Sequence, residues 1–532
     1  MDNEISLREF ATNPNTVSFI VKSSEYVLNL LKFNPKVMFG PILQDRYVII
    51  FINRDNLAEI LDILSTNFLN AVPLVYGLLD AQSLQSAGIS QVHEQTYLDL
   101  KGQGVLVGIV DTGIDYTNSV FRYEDGTSKI VSIYDQTIQG NPPFDFPIGT
   151  EYTNEEINKA LVSENPFDIV PSTDTVGHGT FLASIAAGHS DAGYVGGAAP
   201  EAELIVVKLR KAGAYWIERY LIPPEQENVY DGIALMAGIE YIVKKARELN
   251  RPVAICIGVG TNQGGHNGYS VIEDYLRTLS NSSGICICAA AGNESQAKNH
   301  AMGTIARTGE TQDIEFRVAK LSNVYLNIRN QVADRISVSI KSPTGELVGR
   351  VPVKSGTVFS SKLILEKARV SVEYYFPLAI TGGQSTIVKI YDATPGIWTV
   401  KLHGDIILEG TFHAYLPMTG LGPPGLEFLS PTPYYTVVMP GTSFGVITCG
   451  AYDSVSKALF SDSSWGPTTL DFLAPDLTAP GVNVGGIYPS GPGAMTGTSV
   501  AAAITTGACA LMLQWGIVQG NDVSLSSYEI RA

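Results

Sequence analysis

Charged residues are scarce in this sequence, and basic residues are the scarcer kind. The 532 residues include 35 Lys and Arg against 52 Asp and Glu, which gives a formal net charge of −17. Nucleic acids and anionic membranes are bound through basic surfaces, so this balance predicts neither as a partner. Hydrophobic residues still make up 45% of the chain, which is enough for packed cores and excludes global disorder. The length suggests about three domains.

Cysteine is also sparse, and its spacing fits neither a zinc site nor a disulfide framework. The count is odd, no CxxC pair occurs, and every cysteine stands in an apolar run. We therefore expect buried, reduced thiols and no metal site. The five residues are Cys256, Cys286, Cys288, Cys449 and Cys509.

Export and membrane signals are missing from the printed sequence. The first ten residues, MDNEISLREF, contain no basic region followed by an apolar core, so they do not predict a secretory signal. No window approaches 18 consecutive apolar residues, so we expect no membrane-spanning helix.

Residues 1–80 read as a small separate unit. Apolar runs over 16–23, 36–43, 47–54 and 72–78 predict strands, and amphipathic patterns over 24–33 and 57–66 predict helices. The resulting order, βαββαβ, is that of a split βαβ domain.

The hydrophobic pattern changes twice along the remainder of the chain. Between 81 and 304, apolar runs such as VLVGIVD (105–111) alternate with helical patterns such as 230–248, which predicts an α/β fold with a parallel sheet covered on both faces. Residues 305–430 instead alternate polar and apolar positions between turn signals, which predicts a β-sandwich. The pattern typical of an α/β fold returns over 431–532. The sandwich is therefore expected to be an insertion within the α/β domain.

Four short fragments contain residue types suited to catalysis. They place Asp111 in VDTGID, His178 in GHGT, Asn293 in AAGN and Ser499 in GTSVAA. Each has an ordinary structural interpretation on its own, such as a turn residue, a loop histidine or a helix N-cap. The order Asp, His, Ser along one chain is much more specific.

Together with SSWGP (463–467) and APDLTAPGV (474–482), these fragments resemble the subtilisin-like serine proteases, the S8 family. The resemblance implies that Ser499 is the nucleophile, His178 the general base and Asp111 its orienting partner. Asn293 is then expected to donate to the oxyanion. No cofactor is required for this chemistry, and structural calcium stays open with no ligands assigned.

The same resemblance implies two segments that bind substrate. They are Gly258, Val259 and Gly260 in the first segment, and Ala289, Ala290, Ala291 and Gly292 in the second. An extended peptide is expected to pair with these backbone edges. Gly258 stands where the family commonly has Ser, and Val259 where Leu is common. The small residues leave the pocket walls open, and the preferred side chain is not readable from them.

The fragments DQTIQG (135–140), GTNQGGHNG (260–268) and the long segment 497–518 further resemble the germination-specific Csp proteases of spore-forming clostridia. That group implies a jelly-roll insertion, a zymogen with an N-terminal prodomain that inhibits the cleft, and activation of a cortex-lytic proenzyme. Residues 1–80 would be the prodomain, autocatalytically cut between Asp80 and Ala81. The expected location is the bacterial cytoplasm or the spore cortex and coat region.

Two alternatives remain from the sequence. One is a catalytically quiet, germination-signalling scaffold whose cleft is held shut by its own prodomain, although the intact triad residues disfavour it. The other is a general protein-degrading subtilase of an anaerobic bacterium. Near the catalytic fragments, Asp174 is expected to be a solvated loop residue and Asp115 to brace its loop.

Overall fold

The computed structural model describes residues 6–22, 25–32, 34–64, 71–79, 93, 99–191, 193–330, 332–378 and 381–532. The cleavage bond predicted between Asp80 and Ala81 therefore lies outside the described residues.

The N-terminal unit forms a three-stranded antiparallel sheet in the order β1-β3-β2. Its fourth strand, β4, does not join that sheet and instead pairs with strands of the following domain. The helices are α1 (Leu7–Thr12), α2 (Glu25–Lys32) and α3 (Leu57–Leu64), and the strands are β1 (Thr16–Lys22), β2 (Val37–Leu43), β3 (Tyr47–Asn53) and β4 (Val75–Leu78).

The second unit is built mainly on parallel strands. Its first part contains β5 (Leu106–Asp111), β6 (Ile130–Asp135), β7 (Thr150–Thr153), β8 (Glu203–Lys208), β9 (Tyr230–Asp231), β10 (Val253–Ile257), β11 (Val259–Gly260) and β12 (Ile285–Ala290). Its helices are α4 (Asn154–Leu161), α5 (His178–Ala187), α6 (Ala214–Arg219), α7 (Gly232–Glu248) and α8 (Val271–Leu279).

A β-sandwich interrupts this unit. One of its sheets has the order β13-β22-β15-β20-β19-β18 and the other β17-β16-β21-β14-β23. The first strand begins at His300, ahead of the predicted boundary at 305. The strands are β13 (His300–Thr304), β14 (Thr311–Val318), β15 (Ser322–Asn330), β16 (Arg335–Lys341), β17 (Leu347–Val351), β18 (Val358–Lys362), β19 (Arg369–Tyr375), β20 (Gln384–Ala393), β21 (Gly396–Ile406), β22 (Thr411–Tyr415) and β23 (Glu427–Phe428).

The chain then returns to the parallel sheet. The last elements are β24 (Ile447–Asp453), β25 (Leu477–Val482), β26 (Val484–Tyr488), β27 (Gly491–Met495), α9 (Thr498–Leu513) and α10 (Ser527–Arg531). The complete sheet has the order β25-β24-β12-β10-β5-β8-β6-β7, and only the edge strand β7 is antiparallel to its neighbour. The predicted α/β fold with a helix-flanked parallel sheet is confirmed.

Helices cover both faces of this sheet because its strands are apolar on both sides. In β10, Ala254 and Cys256 pack into the layer that contains α5 and α9. Val253, Ile255 and Ile257 pack into the opposite layer, with α7 and α8. A parallel strand buried on both faces needs a continuous apolar run, which is what the sequence 252–260 supplies.

Helix α9 occupies the centre of the domain. With the π-turn that follows it, the helix spans Thr498–Val518 and is long and apolar enough to cross a membrane, but 78% of its apolar window is buried inside the protein. Small residues allow this close packing. A β-carbon added at Gly507 would lie 2.4 Å from Ala198 Cβ and 2.8 Å from the Ala186 carbonyl oxygen. We interpret α9 as a core helix.

Candidate active site

The three residues predicted to react lie together at the carboxyl edge of the sheet. His178 Nδ1 is 2.7 Å from Asp111 Oδ1, and His178 Nε2 is 3.2 Å from Ser499 Oγ. None of the three side chains is more than 2% exposed. Since a carboxylate can only accept, His178 donates through Nδ1, which leaves Nε2 to accept from the serine hydroxyl.

Local sequence explains how His178 approaches Asp111. Asp111 is the last residue of β5, and His178 is the first of α5. A β-carbon on Gly179 would lie 2.3 Å from the Gly113 carbonyl oxygen, so only glycine lets α5 begin this close to β5. The Thr112 N–H also donates to Asp111 Oδ1 at 2.8 Å, which fixes the carboxylate.

Asp174 supports the histidine loop, contrary to the prediction that it is solvated. It is only 5% exposed, and its carboxylate accepts from the backbone N–H groups of Gly177 and Thr180 at 2.8 and 2.9 Å. The Thr180 hydroxyl donates to it as well, at 2.7 Å. These donors are the unpaired amides at the start of α5, so the carboxylate acts as a remote cap. Asp115 braces its own loop as expected, accepting from Thr117.

Asn293 is held by the residue that precedes the serine. The Thr498 N–H donates to Asn293 Oδ1 at 3.1 Å, and the Thr498 hydroxyl lies 3.0 Å from the same oxygen. Because an N–H can only donate, the contact turns the amide oxygen toward Thr498 and its NH₂ group to the other side. Ser499 itself is the second residue of α9, where backbone N–H groups are unpaired and the helix dipole favours negative charge.

The first predicted substrate-binding segment is paired with a strand of the same chain. In the antiparallel register, Val259 faces Leu78 and Gly260 faces Gly77. On its other edge, β4 pairs with β9, where Tyr230 faces Tyr76. Gly258 lies next to the Asp–His pair, since a β-carbon there would be 3.0 Å from Asp111 Oδ2 and 3.1 Å from His178 Cε1.

The second predicted segment runs from the sheet into the site. Ala289 and Ala290 end β12 and pack into opposite core layers. Ala291 and Gly292 follow the strand, and Gly292 has φ +102°. A β-carbon at Gly292 would lie 2.7 Å from Val438 Cγ1 and 2.8 Å from Ser464 Oγ. Val438 was not identified from the sequence, because its own neighbours in sequence carry no recognisable motif.

The five cysteines are free thiols in the core. Within the described part of the chain, Cys286, Cys288 and Cys509 form the single group of three metal-ligand types whose ligand atoms lie within 4.8 Å of one another. For each of these thiols, one neighbouring thiol raises the pKa and the other lowers it, and burial adds to the upward shift, so that the pKa of all three lies well above its ordinary value. Within this group the Sγ atoms of Cys288 and Cys509 are 3.6 Å apart, and we interpret the three side chains as thiols packed in the core.

Comparison with known proteins agrees with this geometry. The family model described as the subtilase family matches residues 102–311 and 429–532, and the segment it skips is most of the sandwich. The chain therefore belongs to the subtilase family and is a subtilisin-like serine peptidase. It is similar to the structure of the Clostridium perfringens CspB protease, with 31% identity, a TM-score of 0.72, and coverage of 84% of this chain and 90% of that one. No curated protein matched the sequence.

Proposed function

We propose that this protein is a serine endopeptidase in which Ser499, His178 and Asp111 form the catalytic triad. The observation that carries the proposal is the continuous chain of contacts from Asp111 Oδ1 through His178 to Ser499 Oγ. A serine hydroxyl is a weak nucleophile and needs a base within hydrogen-bond reach, and here the base is itself oriented by a buried carboxylate.

The reaction follows from these positions. Ser499 Oγ attacks the substrate carbonyl carbon as His178 Nε2 takes the hydroxyl proton, and Asp111 stabilises the imidazolium that forms. The Ser499 N–H and the Asn293 NH₂ group stabilise the oxyanion. His178 then gives the proton to the leaving amine, and water hydrolyses the acyl-enzyme by the same route.

We further propose that residues 1–80 are a prodomain that folds with the catalytic domain and blocks its cleft. Two features support this proposal. β4 lies between β9 and β11, where a substrate strand would bind. The N-terminal sheet also contacts the catalytic helices: Lys22 Nζ is 2.7 Å from Asp274 Oδ2, and Gln44 Nε2 donates to Glu240 at 2.7 Å.

The similarity to the CspB protease and the resemblance to germination-specific Csp proteases extend the proposal to a biological role. We propose activation of a protein proform, with a spore cortex-lytic proenzyme as the candidate, in the bacterial cytoplasm or the spore. A catalytically inactive scaffold is the second candidate. The one observation in its favour is the position of β4 between β9 and β11.

A fluorophosphonate probe separates these candidates. Wild type is expected to be labelled on Ser499, with no labelling in Ser499→Ala and at least about 10³-fold slower labelling in His178→Ala. Because β4 can slow the entry of the probe into the cleft, labelling is followed over time. It is then repeated after limited proteolysis of the N-terminal unit. No labelling of wild type under either condition would favour the scaffold.

A test with the proenzyme addresses the role. Purified wild type is incubated with a cortex-lytic proform and with casein, and Ser499→Ala is the control. Cleavage of the proform at one bond, with casein left intact, supports activation. Degradation of both at many bonds supports general proteolysis.

A further inference from the structure

We propose that Leu79 is the residue whose carbonyl Ser499 attacks, so that the chain cuts itself at the bond following Leu79. We also propose that Val438 closes the base of the pocket that holds the Leu79 side chain and so limits it to aliphatic groups. The inference rests on the proposed endopeptidase function and assigns the bond and the specificity of the same site.

The strand register leads to Leu79. Gly260 faces Gly77 and Val259 faces Leu78, and because the strands are antiparallel, the next facing pair is Gly258 and Leu79. Gly258 is the residue that adjoins Asp111 and His178. The chain therefore reaches the level of the triad at Leu79, one residue before the bond predicted from the sequence.

The Leu79 side chain lies against the first predicted substrate-binding segment, and Val438 lies between that contact and the second segment. A β-carbon on Gly260 would lie 3.0 Å from Leu79 Cδ1 and 2.5 Å from Val438 Cγ2. The other Val438 methyl, Cγ1, faces Gly292 and would lie 2.7 Å from a β-carbon added there. Val438 thus spans the space between two walls, and both walls are glycines because a side chain would fill that space.

The backbone on both sides fixes Val438. Its N–H donates to the Ala291 carbonyl at 2.8 Å. The next residue, Met439, exchanges hydrogen bonds with Thr261 at 2.8 and 2.9 Å. Val438 cannot move away from the two segments without breaking these hydrogen bonds. The valine side chain therefore sets the depth of the pocket.

Burial distinguishes Leu79 from its neighbour. Leu79 is 2% exposed and belongs to the same apolar cluster as Val438, which is fully buried. Leu78 is only partly buried and packs against the other apolar cluster of the protein. These contacts predict a preference for Leu or Met at the cleaved position, with aromatic and charged residues disfavoured.

The cleavage step conserves atoms and protons. Ser499 Oγ forms a bond to the Leu79 carbonyl carbon, and its proton passes to His178 Nε2. The C–N bond after Leu79 breaks as His178 returns that proton to the departing nitrogen. Water then adds to the ester, leaving Leu79 with a free carboxylate and regenerating the serine hydroxyl.

Intact-mass and N-terminal analysis of the purified full chain tests the bond. Wild type is expected to yield a fragment ending at Leu79 and a new chain beginning at residue 80, whereas Ser499→Ala stays whole. A serine-dependent cut at another bond overturns this inference and leaves the proposed function intact. A wild type that stays whole also overturns it, and fluorophosphonate labelling then judges the proposed function separately.

Pocket variants test the role of Val438. Leu79→Phe is expected to slow self-cleavage by about 10- to 100-fold, and adding Val438→Gly to restore much of the rate, because the floor is lowered. Leu79→Met should cleave at nearly the wild-type rate, which controls for folding, and Leu78→Phe is the matched control at a partly buried neighbour that packs against the other apolar cluster. Equal rates for Leu79→Phe and wild type, or no rescue by Val438→Gly, would refute the pocket assignment.

Discussion

At the scale of single residues, the site depends on short side chains and buried caps as much as on the triad. Gly179 allows α5 to start against β5, and Thr498 turns the Asn293 amide. The Asp174 carboxylate accepts hydrogen bonds from the unpaired N–H groups at the start of α5. Each of these residues positions a group of the proposed active site, and none of them is proposed to exchange a proton with the substrate.

Asp174→Ala tests this positioning role. Loss of the carboxylate leaves buried N–H groups without acceptors, so we expect a loss of about 1–3 kcal/mol in the free energy of unfolding. Movement of the His178 loop should also lower kcat/KM by about 10- to 100-fold. Denaturant unfolding and peptide hydrolysis provide the two measurements.

Asp125→Ala is the matched control for Asp174→Ala. Asp125 makes the same kind of loop contact, accepting from the Thr127 N–H at 2.9 Å, but it is exposed and belongs to another loop. We expect activity to stay unchanged in this variant. An unchanged kcat/KM in Asp174→Ala itself would show that the histidine loop does not need its cap.

At the scale of elements, the N-terminal sheet is held against α8 by a charged cluster. Asp274 Oδ2 accepts from Lys22 Nζ at 2.7 Å and from the Tyr47 hydroxyl at 2.8 Å, and Arg277 bonds the other oxygen. Although burial favours the neutral acid, hydrogen bonds from Lys22, Arg277 and Tyr47 lower the pKa of Asp274 to about 2.

This pKa predicts that the contact weakens in acid. The depressed pKa means that the stabilisation from Lys22 and Tyr47 is complete above the ordinary pKa of 3.8 and is lost as the pH falls toward about 2. Amide exchange of β1–β3 in the Ser499→Ala chain, expressed relative to the intrinsic exchange rate at each pH, should therefore show a loss of protection as the pH falls from about 4 to about 2.

Asp274→Asn, made in the same background, isolates the effect. This variant has already lost the charge, so its exchange at pH 5 should exceed that of its parent, and the two should converge as the pH falls. Parallel curves for the two chains at every pH would show that Asp274 does not hold the sheet.

At the scale of the whole molecule, a buried ion cluster joins the catalytic domain to the sandwich. Arg219 of α6 donates to both oxygens of Glu373 on β19, at 2.9 and 2.8 Å, and Lys389 of β20 donates at 3.0 Å. Burial opposes ionisation, but the charge of Arg219 and its hydrogen bonds lower the pKa of Glu373 to about 2. The carboxylate therefore stays charged between the partly buried Arg219 and the buried Lys389.

Glu373→Ala tests how much this cluster contributes to the free energy of unfolding. Removing the anion leaves Arg219 and Lys389 buried without their partner, so we expect about 3–5 kcal/mol less stability by denaturant unfolding. Asp313→Ala removes an anion from an exposed sandwich pair with Lys401 and should cost less than about 1 kcal/mol. Similar losses in the two variants would mean that the cluster contributes no more than a surface pair.

The contacts of β4 also belong to this scale, because all three units meet there. Its edges pair with strands of the catalytic domain, and a β-carbon on Gly77 would lie 3.6 Å from Leu421, in the segment between sandwich strands β22 and β23. The Tyr220 hydroxyl donates to the Pro73 carbonyl at 3.1 Å. The last part of the N-terminal unit is therefore in contact with both of the other units.

The sequence by itself determined most of the helices and strands and was enough to predict the groups that we propose to react. Apolar runs such as 105–111 and 284–293 specify strands buried on both faces, and alternation over 305–430 specifies the sandwich strands. The order of Asp111, His178 and Ser499 was readable because each stands in a short fragment whose neighbours are constrained by local geometry, such as the glycines around His178.

Only the tertiary structure decided which distant residues meet. β4 leaves the sheet predicted for it because its edges pair with β9 and β11, and Asp174 is buried because α5 leaves amides beside it. Val438 reaches Gly260 and Gly292 because the chain folds back after the sandwich. Local sequence encodes backbone preference and burial, whereas a pocket is made by packing between segments far apart in the chain.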